Sequence, residues 1–197
     1  MAQLEFWCEL ASTYTYLAAM RIAPLAEAAG VTVRWQPFSL GPIFAASGWT
    51  NSPFEIYPAK GRYMWRDVER EAAAAGLAWR RPSAFPRHTV LAARVALLGV
   101  TRAWGPAFIR AALRANFVDD RDLAAPAVLD DLLAGLGLDG PAVRGEAESA
   151  EHKPRLRAAT ERAVALGIFG APTFVVGDEL FWGNDRLERA IAAAAST

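Results

Sequence analysis

The spacing of apolar residues predicts a β-α-β unit at the start of the chain. Residues 3–10 form a short apolar strand pattern, and from Thr13 to Ala29 apolar residues recur at helical spacing until Gly30 ends the helix. Residues 31–38 then alternate between apolar and polar side chains, which predicts a second strand. A parallel pair with a right-handed crossover is the expected geometry.

The middle of the chain is predicted to be helical after one long loop. Residues 39–61 are rich in glycine and proline, and we predict a loop of about 20 residues, a length that is uncommon in compact domains and often functional. Helical spacing follows over residues 61–76, 88–99, 102–116, 125–136, 141–149 and 151–166.

The end of the chain returns to strand character. The segments "TFVV" (173–176) and "ELFW" (179–182) flank Gly177-Asp178, a pair that favours a two-residue hairpin turn. Asn184 or Asp185 is then expected to cap a final helix that runs to about Ala195.

The order β-α-β, helices, β-β-α predicts an α/β protein with a thioredoxin-like fold and a large all-helical insertion. We assign residues 1–40 and 168–197 to the thioredoxin-like domain. Residues 41–167 are assigned to the helical insertion domain and its connecting loop.

Composition and charge narrow the possible functions. The 197 residues are 53% hydrophobic and 21% charged with a net charge of +0, which argues against a non-specific nucleic-acid binder. Neither a signal peptide nor an apolar span of membrane length is recognisable, so we expect no membrane association and a cytoplasmic location. A single cysteine and two distant histidines predict neither a disulfide, a dithiol redox pair nor a zinc site.

Ser12, at the predicted start of the first helix, is the first candidate for chemistry. A serine at this position is most often only a helix cap. The same position also offers unpaired backbone N–H groups, positive potential and one hydroxyl donor, which together would favour a bound anion such as a thiolate. No histidine is near Ser12 in sequence, so a serine nucleophile of the Ser-His-Asp type is not expected.

Three further segments carry candidate residues, and each of these is only weak evidence for a functional site. Pro172 in "GAPTF" precedes a strand, and a trans peptide bond is the ordinary expectation for it. Asn184 and Asp185 are ordinarily caps, but a helix start with Asp185 beside it would also suit an amino-acid head group. Asn51 and Lys60 lie in the predicted loop, where such side chains are usually solvated.

The order of these segments resembles the 2-hydroxychromene-2-carboxylate isomerase family, kin of kappa-class glutathione transferases and DsbA-like proteins. The opening "FWCELASTYTYLA" (6–18) is similar to the family's first segment, and "NSP" with "PAKGRYM" is similar to its central loop. "GIFGAPTFVVGDELFWGNDRLE" (167–188) is closely similar to its C-terminal signature.

The resemblance implies that glutathione is the cofactor, with its sulfur near Ser12, which stands where thiol oxidoreductases carry the nucleophilic cysteine. It implies that Thr13 and Tyr14 share this site and that the Ala171-Pro172 peptide is cis, with the Ala171 backbone pairing with glutathione. The same resemblance places further residues around glutathione and an aromatic substrate. They are Asn184 and Asp185 at the γ-glutamyl end, Asn51 and Lys60 along the glutathione and substrate side, and Phe44, Tyr63 and His88 at the substrate pocket.

The sequence departs from the family pattern at several positions. Thr13 replaces the family proline, Glu9 replaces an aspartate and Cys8 replaces an aromatic residue. Phe44 stands where some isomerases carry lysine, which bears on recognition of a hydroxychromene carboxylate. His88 stands where relatives often have asparagine, and an ordinary surface role is equally compatible with the sequence.

The expected activity is a glutathione-dependent isomerisation in which a bound thiolate adds reversibly to a small aromatic or enone-like substrate. A kappa-like glutathione transferase shares the addition step and is the first alternative. A disulfide oxidoreductase or a binding module of the thioredoxin fold is the second, although one cysteine upstream of the helix disfavours the oxidoreductase. The resemblance also implies a homodimer.

Overall fold

A four-stranded mixed sheet forms the centre of the protein. The computed structural model describes residues 2–197. The strands are β1 (Gln3–Cys8), β2 (Thr32–Pro37), β3 (Thr173–Val176) and β4 (Glu179–Trp182), in the order β2-β1-β3-β4. β1 runs parallel to β2 and antiparallel to β3, and β3 pairs antiparallel with β4. This topology confirms the predicted thioredoxin-like arrangement of the two chain ends.

Ten α-helices accompany the sheet within the residues described. They are α1 (Thr13–Ala28), α2 (Leu40–Ala46), α3 (Pro53–Ile56), α4 (Pro58–Ala74), α5 (Val90–Val100), α6 (Gly105–Phe117), α7 (Pro126–Ala134), α8 (Gly140–Ala147), α9 (Lys153–Ala165) and α10 (Leu187–Ala195). Helices α2–α9 lie between β2 and β3, so the helical insertion is present; the exact domain boundaries stay a prediction. Among residues 2–197, no helix is both long and apolar enough to traverse a bilayer.

Neighbouring residues of β1 support two different cores because successive side chains of a strand point to opposite faces. On one face, the Phe6 ring lies 4.8 Å from the Trp35 ring and 5.3 Å from the Phe174 ring, which ties β1 to β2 and β3. On the other face, fully buried Trp7 packs in a smaller cluster with Phe38 and residues of α2 and α9. The sheet is therefore covered on both sides.

The prediction of an unstructured loop over residues 39–61 is wrong. This segment contains α2, α3 and the first turn of α4, and two of its three prolines stand where a helix begins. Pro53 and Pro58 are each the first residue of a helix, where a missing N–H breaks no hydrogen bond. Gly61 belongs to the contact between α3 and α4, since a Cβ there would lie 2.2 Å from the Phe54 carbonyl oxygen.

The predicted cap of the final helix is also wrong. Asn184–Arg186 form a 3₁₀ turn, and α10 begins afterwards at Leu187 without a side-chain cap. The Asn184 side chain makes no cap hydrogen bond, and its oxygen accepts a hydrogen bond from Arg21 Nη1 at 3.1 Å. A polar residue before a helix thus serves a contact between helices here.

Candidate active site

Ser12 caps α1, as its residue type predicts. Its backbone is extended, with φ −84° and ψ 121°, and its Oγ accepts a hydrogen bond from the Thr15 N–H at 3.2 Å. The N–H groups of Thr13 and Tyr14 have no acceptor among residues 2–197. Two free donors therefore remain at the positive end of a helix of 16 residues, where anions are stabilised.

Ser12 also contacts the segment that leads into β3. Its hydroxyl donates to the carbonyl oxygen of Ala171 at 2.9 Å. The Ala171-Pro172 peptide bond is cis, as the resemblance implies, and a second cis bond precedes Pro86. The Pro172 carbonyl accepts from the Gly183 N–H at 2.9 Å, which joins the segment after β4 to the same place. The structure thus brings Ser12, Ala171 and Pro172 together.

Glu9 is a site residue whose role sequence reasoning missed. Its carboxylate is buried and accepts from the Ala11 N–H at 2.9 Å and from the Thr89 hydroxyl at 2.7 Å. Its carbonyl oxygen accepts from the Ser12 N–H at 3.1 Å, so Glu9 fixes the turn that presents Ser12. Burial raises the pKa of Glu9 to about 7, against the hydrogen bonds from Thr89 and Ala11 that lower it. The sequence signal that could have indicated this role is an acidic residue directly after a buried strand.

Cys8 cannot supply a reactive thiolate in the folded protein. The side chain is fully buried at the end of β1. Burial raises the pKa of its thiol far above the usual range, and the neighbouring Glu9 charge raises it further. The only cysteine of the chain is therefore a packing residue, and the α1 terminus carries a hydroxyl in place of sulfur.

Tyr14 and Lys60 lie around one aromatic ring beside the site. The Tyr14 hydroxyl donates to Asp67 Oδ2 at 2.8 Å, and the Tyr14 ring lies 6.3 Å from the Phe54 ring. Burial, followed by the hydrogen bond to Asp67, raises the pKa of Tyr14. Lys60 Nζ lies 5.6 Å from the centre of the Phe54 ring. This contact connects α1 with α3 and α4.

The other predicted glutathione residues are not drawn into a single group. Asn51 is exposed, and its Oδ1 accepts from the adjacent Ser52 N–H at 2.7 Å. Asn184 is buried between Arg21 and Glu71, and the Nδ2 atom of Asn184 lies 3.5 Å from Oε2 of Glu71. Asp185 is exposed and paired with its neighbour Arg186 at 2.6 Å. The binding roles assigned to these residues stay predictions.

The three predicted substrate-pocket residues line neither of the two cavities described within residues 2–197. Phe44 packs on Trp49 with ring centres 5.5 Å apart, so it is engaged inside the segment after β2. Tyr63 is 63% exposed on α4, and His88 is exposed before α5. A pocket shared by Phe44, Tyr63 and His88 stays a prediction.

Fold and site together define a thioredoxin-fold protein with serine at the helix terminus beside a cis-proline. The DSBA-like thioredoxin domain family matches residues 3–193. A 2-hydroxychromene-2-carboxylate isomerase of Sphingobium xenophagum is 30% identical over 94% of either chain. One of Pseudomonas putida is 27% identical over 93% of this chain and 90% of its own.

A solved structure of a 2-hydroxychromene-2-carboxylate isomerase superposes with a TM-score of 0.87 at 24% identity, covering 97% of this chain and 93% of that one, which supports the fold. The chain belongs to the DSBA-like thioredoxin domain family and, within it, to the family of 2-hydroxychromene-2-carboxylate isomerases.

Proposed function

We propose that this protein is a glutathione-dependent isomerase of the 2-hydroxychromene-2-carboxylate isomerase type. The observation that carries the proposal is the pairing of Ser12, at the start of α1, with Ala171 beside cis-Pro172. The chain provides the anion-stabilising position of a thiol enzyme but keeps its own thiol, Cys8, buried. A thiol brought by a cofactor would complete the site.

The residues present fit a thiolate ligand. The Thr13 and Tyr14 N–H groups have no acceptor in the described structure, and the Ser12 hydroxyl lies at the same helix end. Donors at a helix N-terminus stabilise negative charge without an added cation. Thr13, in place of the family proline, adds a backbone donor that proline lacks.

Ala171 would bind the backbone of the same ligand. Its carbonyl oxygen accepts a hydrogen bond from the Ser12 hydroxyl, with 2.9 Å between the two oxygens, and a hydroxyl has only one proton to donate. A ligand amide N–H that donates to Ala171 would release the Ser12 hydroxyl, which then turns its proton toward the sulfur. This exchange keeps the Ala171 carbonyl paired before and after binding.

The bound cofactor would supply a thiolate that adds reversibly to a conjugated double bond, which frees that bond to rotate. The chain's part is electrostatic: Ser12 and the α1 terminus hold the negative charge on the sulfur. Tyr14 contributes its backbone N–H only, because its hydroxyl is committed to Asp67. Asn51, Lys60, Asn184 and Asp185 are the proposed contacts to the rest of glutathione.

The substrate class follows from the family: a small aromatic molecule with a carboxylate, as in 2-hydroxychromene-2-carboxylate. Phe44, Tyr63 and His88 are the proposed substrate contacts. Phe44, where some isomerases carry lysine, leaves a carboxylate without that partner and favours an apolar ring at this point. A homodimer and a cytoplasmic location, where glutathione is abundant, complete the proposal.

The proposed function is tested by mixing the protein with 2-hydroxychromene-2-carboxylate, with and without glutathione, and analysing the products. An isomer that forms only with glutathione, while the glutathione concentration stays constant, supports the isomerase. A product that contains glutathione supports the kappa-like transferase instead. Reduction of insulin disulfides by the protein would favour an oxidoreductase and contradict the proposal.

A further inference from the structure

A groove runs along the free edge of β2. This strand ends the order β2-β1-β3-β4, so only one of its two edges is paired within the sheet. Residues 33–36 line the groove, together with the end of α5, the start of α6 and Arg155 of α9. Its volume is about 420 Å³, within the range of ligand sites. Ser12 and Ala171 are not among the lining residues, so the groove is separate from the proposed glutathione site.

The register of β2 decides which backbone groups face this groove. The N–H groups of Thr32 and Phe38 donate toward β1, to carbonyl oxygens at 2.9 and 3.2 Å. Backbone direction alternates along a strand, so the N–H and C=O groups of Val33 and Trp35 point away from β1. Within residues 2–197, no backbone group outside the sheet pairs with them. Two donors and two acceptors therefore face the groove at the spacing that a neighbouring strand requires.

The groove has an apolar wall and a basic wall, one on each face of the sheet. Leu97, Val100 and Pro106 form the apolar wall, on the face that packs against α5. Arg34 and Arg155 form the basic wall on the face that α9 covers, because side chains alternate between faces along β2. Among the described residues, no acidic side chain lines the groove, and exposed Arg34 has no ion pair.

We propose that this groove binds an extended acidic peptide segment, which adds to the sheet as a strand beside β2. The backbone of the segment pairs with Val33 and Trp35, a mode of recognition that uses an unpaired sheet edge. Side chains of an extended chain alternate, so apolar ones lie against α5 and α6 while acidic ones lie beside Arg34 and Arg155. The groove therefore selects a sequence in which apolar and acidic residues alternate.

A second copy of this chain fits the same edge less well. A symmetric antiparallel pair that uses both Val33 and Trp35 is centred on Arg34, so two Arg34 side chains would lie directly opposite each other. Like charges in this arrangement are destabilising. Pro37, the next residue of β2 that points outward, has no N–H to donate, which keeps the usable edge short. A short strand of opposite charge is the better-matched occupant.

The test is calorimetric titration of the protein with the peptide VEVEV, whose ends are acetylated and amidated. We expect saturable binding, and at least about tenfold weaker binding of VKVKV, because the basic wall repels lysine. Arg34→Glu should weaken VEVEV binding by a similar factor and strengthen VKVKV binding. Arg189→Glu, at an exposed arginine of α10 outside the groove, is the matched control and should bind both peptides as the wild type does.

N-methylated peptides test the strand pairing itself. Only alternate residues of a strand direct their N–H groups to the same neighbour. VEVEV methylated on the valine nitrogens and VEVEV methylated on the glutamate nitrogens should therefore differ. One form should bind about tenfold more weakly or worse, because it loses hydrogen bonds to β2, and the other should bind as the unmodified peptide does.

Four results would each overturn the proposal. They are no binding of VEVEV, equal binding of VEVEV and VKVKV, unchanged VEVEV binding in Arg34→Glu, and equal binding of the two methylated peptides. Circular dichroism of Arg34→Glu checks that the variant is folded, and the four peptides test the wild type independently of any variant. A dimer in sedimentation experiments that excludes VEVEV from the groove would assign β2 to a second copy and would also overturn the proposal.

Discussion

The Ser12 hydroxyl lies 2.9 Å from the carbonyl oxygen of Ala171, although 159 residues separate the two positions in sequence. This hydrogen bond joins the start of α1 to the cis-proline segment before β3. Ser12 has a second contact, since its oxygen accepts from the Thr15 N–H at 3.2 Å. The Ser12 side chain therefore serves as a helix cap and as a link between the two halves of the sheet domain. It is also the proposed hydrogen-bond donor to the glutathione thiolate.

The first prediction concerns stability at Ser12. Ser12→Ala removes the cap of α1 and the bond to Ala171, so we expect the free energy of unfolding to fall by about 1–2 kcal/mol. Urea unfolding followed by circular dichroism measures the change. Ser39→Ala is the matched control, because Ser39 precedes α2 but makes no side-chain cap. Equal losses in the two variants would contradict the role of Ser12 as a cap.

The second prediction concerns thiol reactivity. Cys8 is fully buried and its pKa is raised, so a thiol reagent at pH 8 should not modify the folded wild type. Ser12→Cys should create a fast-reacting thiol, because a cysteine at a helix N-terminus has a lowered pKa. Cys8→Ala combined with Ser12→Cys assigns the reaction to position 12. A wild type that reacts as fast as Ser12→Cys would contradict the burial of Cys8.

The third prediction concerns pH and Glu9, whose pKa rises from 4.5 to about 7 on folding. The folded protein binds this proton more tightly than the unfolded chain, so stability falls as pH rises from about 4.5 to 7. The loss is complete above that range and amounts to about 3 kcal/mol. Glu9→Gln should flatten this dependence in urea titrations at pH 5 and pH 8.

The control for Glu9 is Glu27→Gln, an exposed glutamate on α1, which should keep the wild-type dependence on pH. A glutamine at position 9 can accept from the Ala11 N–H and donate to Thr89, so the local turn is preserved. If Glu9→Gln retained the full pH dependence of the wild type, another group would be responsible for it.

The fourth prediction separates the adjacent residues Asn184 and Asp185. Asn184 is buried against Arg21, so Asn184→Ala should destabilise the fold by about 1–2 kcal/mol. Asp185 is exposed, so Asp185→Ala should leave stability unchanged. The same variant should bind glutathione more weakly, because the ammonium group of glutathione loses a charged partner. Thermal unfolding with and without glutathione measures both effects. Normal glutathione affinity in Asp185→Ala would remove Asp185 from the site.

Much of the fold was predictable because local patterns and tertiary structure agree. Gly30 and Gly177 have positive φ, as expected where a helix ends and where a tight hairpin turns. The segment after β2 was mispredicted because Pro53 and Pro58 are compatible with either a loop or a helix start. Contacts to the rest of the protein select the helix, and local sequence does not contain them.

The site was predictable only in part for the same reason. Ser12 at the helix start follows from its residue type, but its bond to Ala171 depends on the closed sheet. The contact of Glu9 with Thr89, 80 residues away, depends on how the helical insertion packs on the sheet. The interhelical role of Asn184 likewise arises from Arg21 on α1, which no local pattern indicates.

The most direct test of the central claim is the turnover of 2-hydroxychromene-2-carboxylate by wild type, Ser12→Ala and Ser12→Thr at saturating glutathione. Removing one preorganised donor to a developing anion lowers turnover by about 10²-fold or more, so we expect a loss of that size in Ser12→Ala. Ser12→Thr, which keeps a hydroxyl, should recover a large part of it. Wild-type turnover in Ser12→Ala, or full wild-type turnover without glutathione, would contradict the account.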